Sequence, residues 1–134
     1  MIELWDTSAL ILAARNPDVA ARLEDALSAD DVAITDAIRL EYLNGARNIA
    51  EYDRFDADLA AMRPVETLPV DWTRALSVHR SLARMGAAHQ RSVRLVDLIV
   101  AAVAERAGYP VVHIDEDYER IASITGQPTR RLLR

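Results

Sequence analysis

The chain has 134 residues, of which 51% are hydrophobic and 28% charged, and its formal net charge is -5. This length and this hydrophobic content predict one compact domain over residues 1–134 and exclude a disordered chain. The absence of cysteine excludes disulfides, thiol catalysis and zinc–thiolate sites, so any metal must be bound by carboxylates or histidine.

Strands alternate with helices along the chain. In the first half, the hydrophobic pattern predicts a strand at 2–5, helices at 9–14 and 17–28, a second strand at 32–35 and a helical hairpin at 36–62. The first helix of the hairpin is predicted to reach residue 47, and a break is expected before the second.

The second half continues the same alternation. It predicts a strand at 65–68, an amphipathic helix at 71–85, a polar loop at 88–94 and a helix at 95–107. A strand at 110–114, a helix at 116–124 and an edge strand at 128–133 follow. The apolar stripe of the amphipathic helix is predicted to contain Trp72, Ala75, Leu76, His79 and Leu82. Strands joined by crossover helices predict an α/β fold with a mostly parallel sheet covered on both faces.

Neither a targeting segment nor a membrane span is expected. The N-terminal residues carry Glu3 and Asp6 but no basic leader, so we expect no signal or transit peptide and a cytoplasmic protein. The longest nearly apolar stretch, residues 95–104, is too short for a transmembrane helix, which needs about 20 residues.

Several acidic residues lie where burial is expected. Asp97 is the only polar residue in LVDLIVAAVA, a helix that is apolar all round, and an unpaired carboxylate there would cost several kcal/mol. Asp6 and Asp115 directly follow predicted strands, at the edge where parallel α/β sheets bind ligands, and Asp117 follows closely. Glu41 falls on a small and apolar helical stripe.

Each of these acids also has a structural interpretation. Asp97, Asp6, Asp115 and Asp117 could cap helices, and Glu41 could form a buried ion pair with an arginine. Carboxylates gathered in one pocket repel one another and need a compensating cation. Oxygen ligands suit Mg²⁺ or Mn²⁺, which support phosphodiester hydrolysis.

Four sequence blocks carry a resemblance to a known family. WDTSAL, RLEYLNGAR, RLVDLIVAAVAERAG and VVHIDEDYERIASITGQ, in this order, resemble the motifs of PIN-domain ribonucleases, specifically VapC-type toxins of type II toxin–antitoxin pairs. The resemblance covers essentially the whole chain. It implies a three-layer αβα sandwich with about four to five strands and metal-binding, catalytic acids at Asp6, Glu41, Asp97 and Asp115, with Asp117 and Ser8 in auxiliary roles.

The resemblance also implies an activity and partners. It implies an endoribonuclease that depends on Mg²⁺ or Mn²⁺, leaves a 3′-hydroxyl, forms a homodimer and is inhibited by a VapB-like antitoxin bound over the helical hairpin. Apolar and aromatic residues of the hairpin could form the antitoxin surface, or could serve core packing or dimerisation: Ile38, Tyr42, Leu43, Ile49, Tyr52, Phe55 and Leu59.

Arginines are the candidate contacts to RNA phosphate. Arg91 and Arg94 lie in the polar loop before the Asp97 helix, where a simple solvated loop is an equal alternative. Arg130, Arg131 and Arg134 could form a basic rim or a solvated edge strand. His79 and His113 are assigned to packing.

Two other classes of function remain open. A metal-dependent phosphatase would use the same clustered acids, and a regulatory module could bind Mg²⁺ without turnover. The chain has neither a Gly-rich phosphate loop nor any lysine, which counts against both. An inactive PIN-like scaffold is disfavoured because all four acidic positions are filled.

Overall fold

Five parallel strands form one sheet in the computed structural model, which describes residues 1–133. In chain order the strands are β1 (Glu3–Trp5), β2 (Val32–Ile34), β3 (Arg63–Pro64), β4 (Val111–His113) and β5 (Thr129–Arg131). Their order across the sheet is β3-β2-β1-β4-β5, so β1 is central. Leu4 pairs with Ala33 on one side and with Val111 on the other.

Helices connect the strands. They are α1 (Thr7–Ala13), α2 (Pro17–Ser28), α3 (Asp36–Leu43), α4 (Ile49–Leu59), α5 (Pro69–Arg84), α6 (Leu95–Ala107) and α7 (Glu116–Thr125), with a 3-10 helix at His89–Ser92. Side chains of Asn16, Thr35 and Asn48 cap α2, α3 and α4 by accepting hydrogen bonds from backbone N–H groups. These three helices therefore start where the sequence supplies a short polar side chain.

The sheet is covered on both faces. Every residue of β1, β2 and β4 is buried, and successive side chains of a strand point to opposite faces. Helices must therefore pack on both sides, which confirms the predicted α/β fold with a parallel sheet between two helical layers. Within residues 1–133, no helix is both long and apolar enough to cross a membrane.

Two predicted boundaries were wrong. The third strand lies at Arg63–Pro64 rather than at 65–68, because the chain leaves the sheet after Val65 donates a hydrogen bond to Ile34. Pro64 has no N–H to donate, which suits this edge position. Helix α3 ends at Leu43, not at 47, so the two helices of the hairpin are separate.

The predicted stripe of α5 was also partly wrong. Trp72 and Leu76 are 57% and 68% exposed. The buried face consists of Asp71, Ala75, Val78 and Leu82, so the predicted Ala75 and Leu82 are in the core, whereas Asp71 and Val78 take the places predicted for Trp72 and His79. The buried face begins with an acidic residue, Asp71, which a search for apolar residues does not assign to the core.

Asp71 is buried because it is fully paired. Arg106 of α6 donates two hydrogen bonds to its carboxylate, at 2.9 and 3.1 Å, and the Leu68 N–H donates a third at 2.8 Å. Burial alone would raise the pKa of Asp71, but the Arg106 hydrogen bonds and charge and the Leu68 N–H outweigh it and lower the pKa. The ion pair between Asp71 and Arg106 therefore holds α5 against α6.

We predict that Asp71→Asn destabilises the protein by about 3 kcal/mol, the lower end of the cost of breaking a buried ion pair, because Arg106 retains some solvent access. Since the folded pKa of Asp71 is lowered, its contribution is present above the unfolded value of about 3.9 and is lost as pH falls below it. Urea unfolding at pH 7 and at pH 3 measures both effects.

The matched control is Asp56→Asn. Asp56 accepts a 3.0 Å hydrogen bond from Arg39, and both side chains are well exposed. Its loss should cost below about 1 kcal/mol. Equal losses in the two variants would contradict a structural role for the Asp71 pair.

Candidate metal centre

The site lies at the carboxyl edge of the sheet. Asp6 follows β1, and Asp115 follows β4 within two residues, so the parallel pairing of these strands brings both acids to one edge. Helices α6 and α7 begin at the same edge and bring Asp97 and Asp117. The strand at the start of the chain, β1, thus meets three consecutive elements near its end, α6, β4 and α7, at one place.

Three carboxylates form the tightest group. Asp97, Asp115 and Asp117 each offer one oxygen, and these oxygens lie within 4.8 Å of one another. Asp97 and Asp117 are buried, and Asp115 is half-buried. The family resemblance implies only an auxiliary role for Asp117, but the fold places it beside the other two acids.

Asp97 is not a helix cap. Helix α6 begins at Leu95 with Arg94 at the N-cap position, so Asp97 is already the third helical residue. Its side chain is 0% exposed, and its Oδ2 atom has no hydrogen-bond partner among residues 1–133. A buried carboxylate oxygen without a donor is costly, so this atom requires a proton or a cation.

Asp6 serves both as a helix cap and as part of the site. Its Oδ2 accepts hydrogen bonds from the Ser8 N–H, at 3.1 Å, and from the Ser8 hydroxyl, at 2.6 Å. The Ser8 hydroxyl also accepts a hydrogen bond from the Ile114 N–H at 3.2 Å. Ser8 therefore ties the start of α1 to the end of β4 and fixes Asp6 between them.

Tyr118 is a site residue that the sequence analysis missed. Its hydroxyl is 2.7 Å from Asp6 Oδ1 and 3.2 Å from Asp97 Oδ1, and the side chain is 1% exposed. Burial and the two acids raise the pKa of Tyr118 well above its usual value, so the hydroxyl keeps its proton. The only signal in the sequence is an aromatic residue directly after Asp117, which reads as core packing.

Glu41 lies to one side and is paired. Its Oε1 accepts a 3.1 Å hydrogen bond from the Thr7 hydroxyl, and its Oε2 accepts one from the Arg94 guanidinium. The ion pair with an arginine, which the sequence left open, is therefore present. Glu41 does not belong to the three-carboxylate group found within residues 1–133.

Asp115 and Asp117 are fixed by the start of α7. Asp115 caps the helix by accepting a 2.9 Å hydrogen bond from the Asp117 N–H. Asp117 in turn accepts hydrogen bonds from the Arg94 N–H, at 2.9 Å, and from the Arg120 guanidinium, at 3.2 Å. Capping and site geometry thus use the same carboxylates.

The electrostatics favour a neutral Asp97 when no metal is bound. Burial raises the pKa of Asp97 to about 8, and the Asp117 carboxyl and the negative charge of Asp6 act in the same direction. The positive charge of Arg94 opposes only part of this rise. A divalent cation would replace the proton and stabilise the ionised form.

His113 is structural, in agreement with its assignment to packing. It is fully buried, and its Nδ1 accepts a 3.1 Å hydrogen bond from the Asp115 N–H. Its Nε2 therefore carries the proton and lies 3.0 Å from Glu119. Burial lowers the pKa of His113, so the ring is held neutral behind the acids.

The arginines divide into paired and unpaired ones. Arg91 is exposed on the 3-10 helix, and Arg130 pairs with Glu3 at 2.6 Å. Arg131 lines a pocket of about 420 Å³ beside Asp115. Arg134 lies outside the described residues.

The donor set fits a hard divalent cation. It consists of carboxylate oxygens alone, one of them buried and unpartnered, and such oxygens suit Mg²⁺ or Mn²⁺. The chemistry open to such a centre is phosphoryl transfer or phosphodiester hydrolysis.

Comparisons with known proteins agree with this geometry. Residues 4–124 match the PIN domain family. Ribonuclease VapC18 of Mycobacterium tuberculosis (strain ATCC 25618 / H37Rv) is 45% identical over 129 residues, covering 96% of this chain and 93% of the relative. Ribonuclease VapC51 of the same strain is 38% identical over 125 residues, covering 93% and 88%.

Solved structures share the fold at low identity. VapBC2 from Rickettsia felis, crystallised with a DNA fragment from its promoter, superposes with a TM-score of 0.80 at 14% identity, over 99% of this chain and 100% of that chain. DNA-bound VapBC from Salmonella typhimurium gives a TM-score of 0.74 at 20% identity, over 98% of each chain.

We predict that the stability of the metal-free protein falls between about pH 6.5 and pH 8, because below about pH 6.5 the lowered pKa of His113 opposes the effect of Asp97. The folded pKa of Asp97 is about 8 and the unfolded value about 3.9, so in this range the folded state holds the extra proton. The slope approaches about 1.4 kcal/mol per pH unit for one proton. Urea unfolding in EDTA measures it.

Asp97→Asn should remove this slope and be more stable than wild type at pH 8, because the amide carries no charge. The difference between the two curves isolates Asp97, since His113 contributes equally to both. Parallel curves would show that Asp97 titrates as an ordinary carboxyl.

Tyr118→Phe should lower the free energy of unfolding by about 1–3 kcal/mol, the cost of removing a donor from a buried charged acceptor. Urea unfolding at pH 8 in EDTA measures the loss. Tyr109→Phe is the control, because the half-buried Tyr109 hydroxyl makes no hydrogen bond within residues 1–133 and its loss should cost little. Equal stability of the Tyr118 variant and wild type would remove Tyr118 from the site.

Proposed function

The chain belongs to the PIN-domain family and resembles its VapC ribonucleases along nearly its whole length, and on that premise we propose that it is a metal-dependent endoribonuclease, the toxin of a toxin–antitoxin pair. The observation that carries the proposal is the group of three carboxylates around the buried, unpartnered Asp97 oxygen.

We assign Mg²⁺ or Mn²⁺ to this centre. Asp97, Asp115 and Asp117 would hold the ion, and Asp6 joins the set through the Tyr118 hydroxyl that it shares with Asp97. Such an ion, when bound, polarises a phosphate oxygen and makes a water molecule more acidic. The sequence-based prediction that Asp6 and Glu41 are also direct ligands stays a prediction.

Three residues of the protein are held so that they can orient the reacting groups. Asp6 is fixed by three donors, so its remaining lone pair has a defined direction. Glu41 is held by Thr7 and Arg94 at the margin of the acids, where its carboxylate can accept a proton from the attacking water. We assign a contact with the substrate phosphate to Arg94, which lies close to Glu41, Asp97 and Asp6 and would exchange its bond to Glu41 for one to the phosphate.

RNA reaches this site from the open side. Asp115 is half-buried, Arg94 is half-exposed, and Arg91 is exposed on the 3-10 helix that directly precedes Arg94 in the chain. The predicted products carry a 3′-hydroxyl and a 5′-phosphate, as expected when water attacks the phosphorus and the P–O3′ bond breaks, whereas attack by the neighbouring 2′-hydroxyl would break the P–O5′ bond.

The antitoxin surface is assigned to the hairpin of α3 and α4. Leu40, Ile49 and Tyr52 are 69%, 74% and 40% exposed there, whereas Ile38, Leu43 and Leu59 pack in the core. The exposed three are therefore the residues of the hairpin available to a VapB-like partner. A homodimer and a cytoplasmic location stay predictions.

A phosphatase is the second candidate, because the same acids support transfer from a phosphate monoester. Hydrolysis of p-nitrophenyl phosphate without RNA cleavage would favour it. The 45% identity to a ribonuclease over nearly the whole chain favours RNA.

We predict that Mn²⁺ at 100 times its dissociation constant stabilises the wild-type protein by about 2.7 kcal/mol, and that Asp97→Asn loses most of this gain. With Mn²⁺ and a pool of structured RNAs, wild type should cleave while Asp97→Asn stays folded and inactive. Urea unfolding and gel analysis of labelled RNA measure the two effects.

Asp56→Asn is the control for both assays, because Asp56 pairs with Arg39 and forms no hydrogen bond or ion pair with the acids of the site, Arg94 or Arg120 within residues 1–133. It should keep the Mn²⁺ response and the cleavage of wild type. A folded, metal-loaded Asp97→Asn protein with full activity would overturn the assignment. Absence of any Mn²⁺ response in wild type would leave no metal centre to support the proposed chemistry.

A further inference from the structure

A second feature of the carboxyl edge is a pocket of about 420 Å³ next to the acids, here called the Arg131 pocket. Its lining residues are Ser8, Ile114, Asp115, Glu116, Arg120 and Arg131. It adjoins the metal centre directly, because Asp115 belongs to both and Ser8 holds Asp6. Whatever occupies the pocket therefore lies beside the reacting atoms.

The sheet fixes Arg131 at this place. Strand β5 pairs with β4, and the register sets Arg131 opposite His113, the last residue of β4. Asp115 follows only two residues later. The Leu132 N–H donates a 2.8 Å hydrogen bond to the His113 carbonyl, which anchors the backbone on the far side of Arg131. The position of this arginine is thus a property of the strand pairing.

Arg131 differs from Arg94 and Arg120, the two arginines that contact the acids of the site, in having no carboxylate partner among residues 1–133. Arg94 is paired with Glu41, and Arg120 is paired with both Glu116 and Asp117 at 3.2 Å. Within residues 1–133, Arg131 forms no ion pair. An arginine already bound to carboxylates must release them to bind another anion, whereas Arg131 can bind one at no such cost.

We propose that the Arg131 pocket is a second phosphate subsite, in which the Arg131 guanidinium binds the RNA phosphate next to the one being cleaved. The inference rests on the proposed function. RNA carries one negative charge per nucleotide, and a phosphate that enters the Arg131 pocket comes close to Asp115 and Glu116, which line it. Without a positive charge there, this phosphate would be repelled.

The chemistry of the pocket fits a phosphodiester. A guanidinium presents a planar fork of N–H donors that matches two phosphate oxygens and keeps its charge at any working pH. The protein is acidic overall, so the positive charge that RNA needs must be supplied locally. One unpaired arginine at the edge of the acids supplies it without neutralising the metal ligands themselves.

The test compares Arg131→Gln with wild type in binding a fluorescent single-stranded RNA of about 20 nucleotides, in EDTA so that no metal-dependent cleavage occurs. We expect about tenfold weaker binding, because one charge-assisted contact is lost. The slope of log K against log salt should become shallower by about 0.7, the value for one phosphate contact on a single strand. Arg131→Lys keeps the charge and should keep the slope.

Arg15→Gln is the matched control. Arg15 is also exposed and forms no ion pair within residues 1–133, but it lies beyond the far end of α1, away from the carboxyl edge. It should leave both affinity and slope unchanged. Equal losses in the Arg15 and Arg131 variants would mean that the RNA senses only net charge and would overturn the subsite.

Cleavage kinetics give an independent readout. With Mn²⁺, Arg131→Gln should raise KM about tenfold while kcat stays within about twofold, because the contact binds the ground state and the transition state equally. Its stabilisation by Mn²⁺ should be at least that of wild type, which shows an intact centre. RNA cleavage with an unchanged KM overturns the subsite alone, whereas a wild-type protein that cleaves no RNA overturns the proposed function.

Discussion

Repulsion between buried carboxylates is the constraint on which the site depends. Asp97, Asp115 and Asp117 bring oxygens within 4.8 Å of one another, and Asp6 is linked to Asp97 through one shared hydroxyl. Such a group is stable only if protons, donors or a cation offset its charge. The raised pKa of Asp97 is the visible result, since this carboxyl is held neutral when no cation is present.

The fold offsets this charge with donors from several elements. Tyr118 of α7 and Ser8 of α1 give hydroxyl hydrogen bonds to Asp6, while Arg94 and Arg120 contribute positive charge. None of these donors reaches the Oδ2 atom of Asp97. The offset is therefore incomplete at one atom, and that atom is where a cation contributes most.

Acids elsewhere in the protein show what a complete offset looks like. Asp71 is as deeply buried as Asp97, but Arg106 and a backbone N–H satisfy both of its oxygens. Glu3, buried in β1, is held by Arg22 and Arg130. These carboxylates stabilise the fold and are closed to ligands. Burial of an acid thus does not mark a functional site, whereas burial without a full set of partners does.

The sequence by itself determined the order of the elements and the parallel α/β fold, and it singled out Asp6, Asp97, Asp115 and Asp117, which the structure brings to one edge of the sheet. These follow from local signals, namely hydrophobic periodicity, capping residues such as Asn16 and Thr35, and polar residues in otherwise apolar segments. Helix α6 was predicted with its observed bounds because both its apolar run and its terminal Gly108 are local. The resemblance to a known family rested on the same local blocks.

Only the tertiary structure decided which partners each charged residue has. That Glu41 pairs with Arg94, that Asp117 lies beside Asp97, and that the Tyr118 hydroxyl reaches two acids all depend on contacts between distant elements. The difference between Arg130, bound to Glu3, and its neighbour Arg131, open to the pocket, has the same origin. Pairing is a property of distance in space, and a sequence records distance only along the chain.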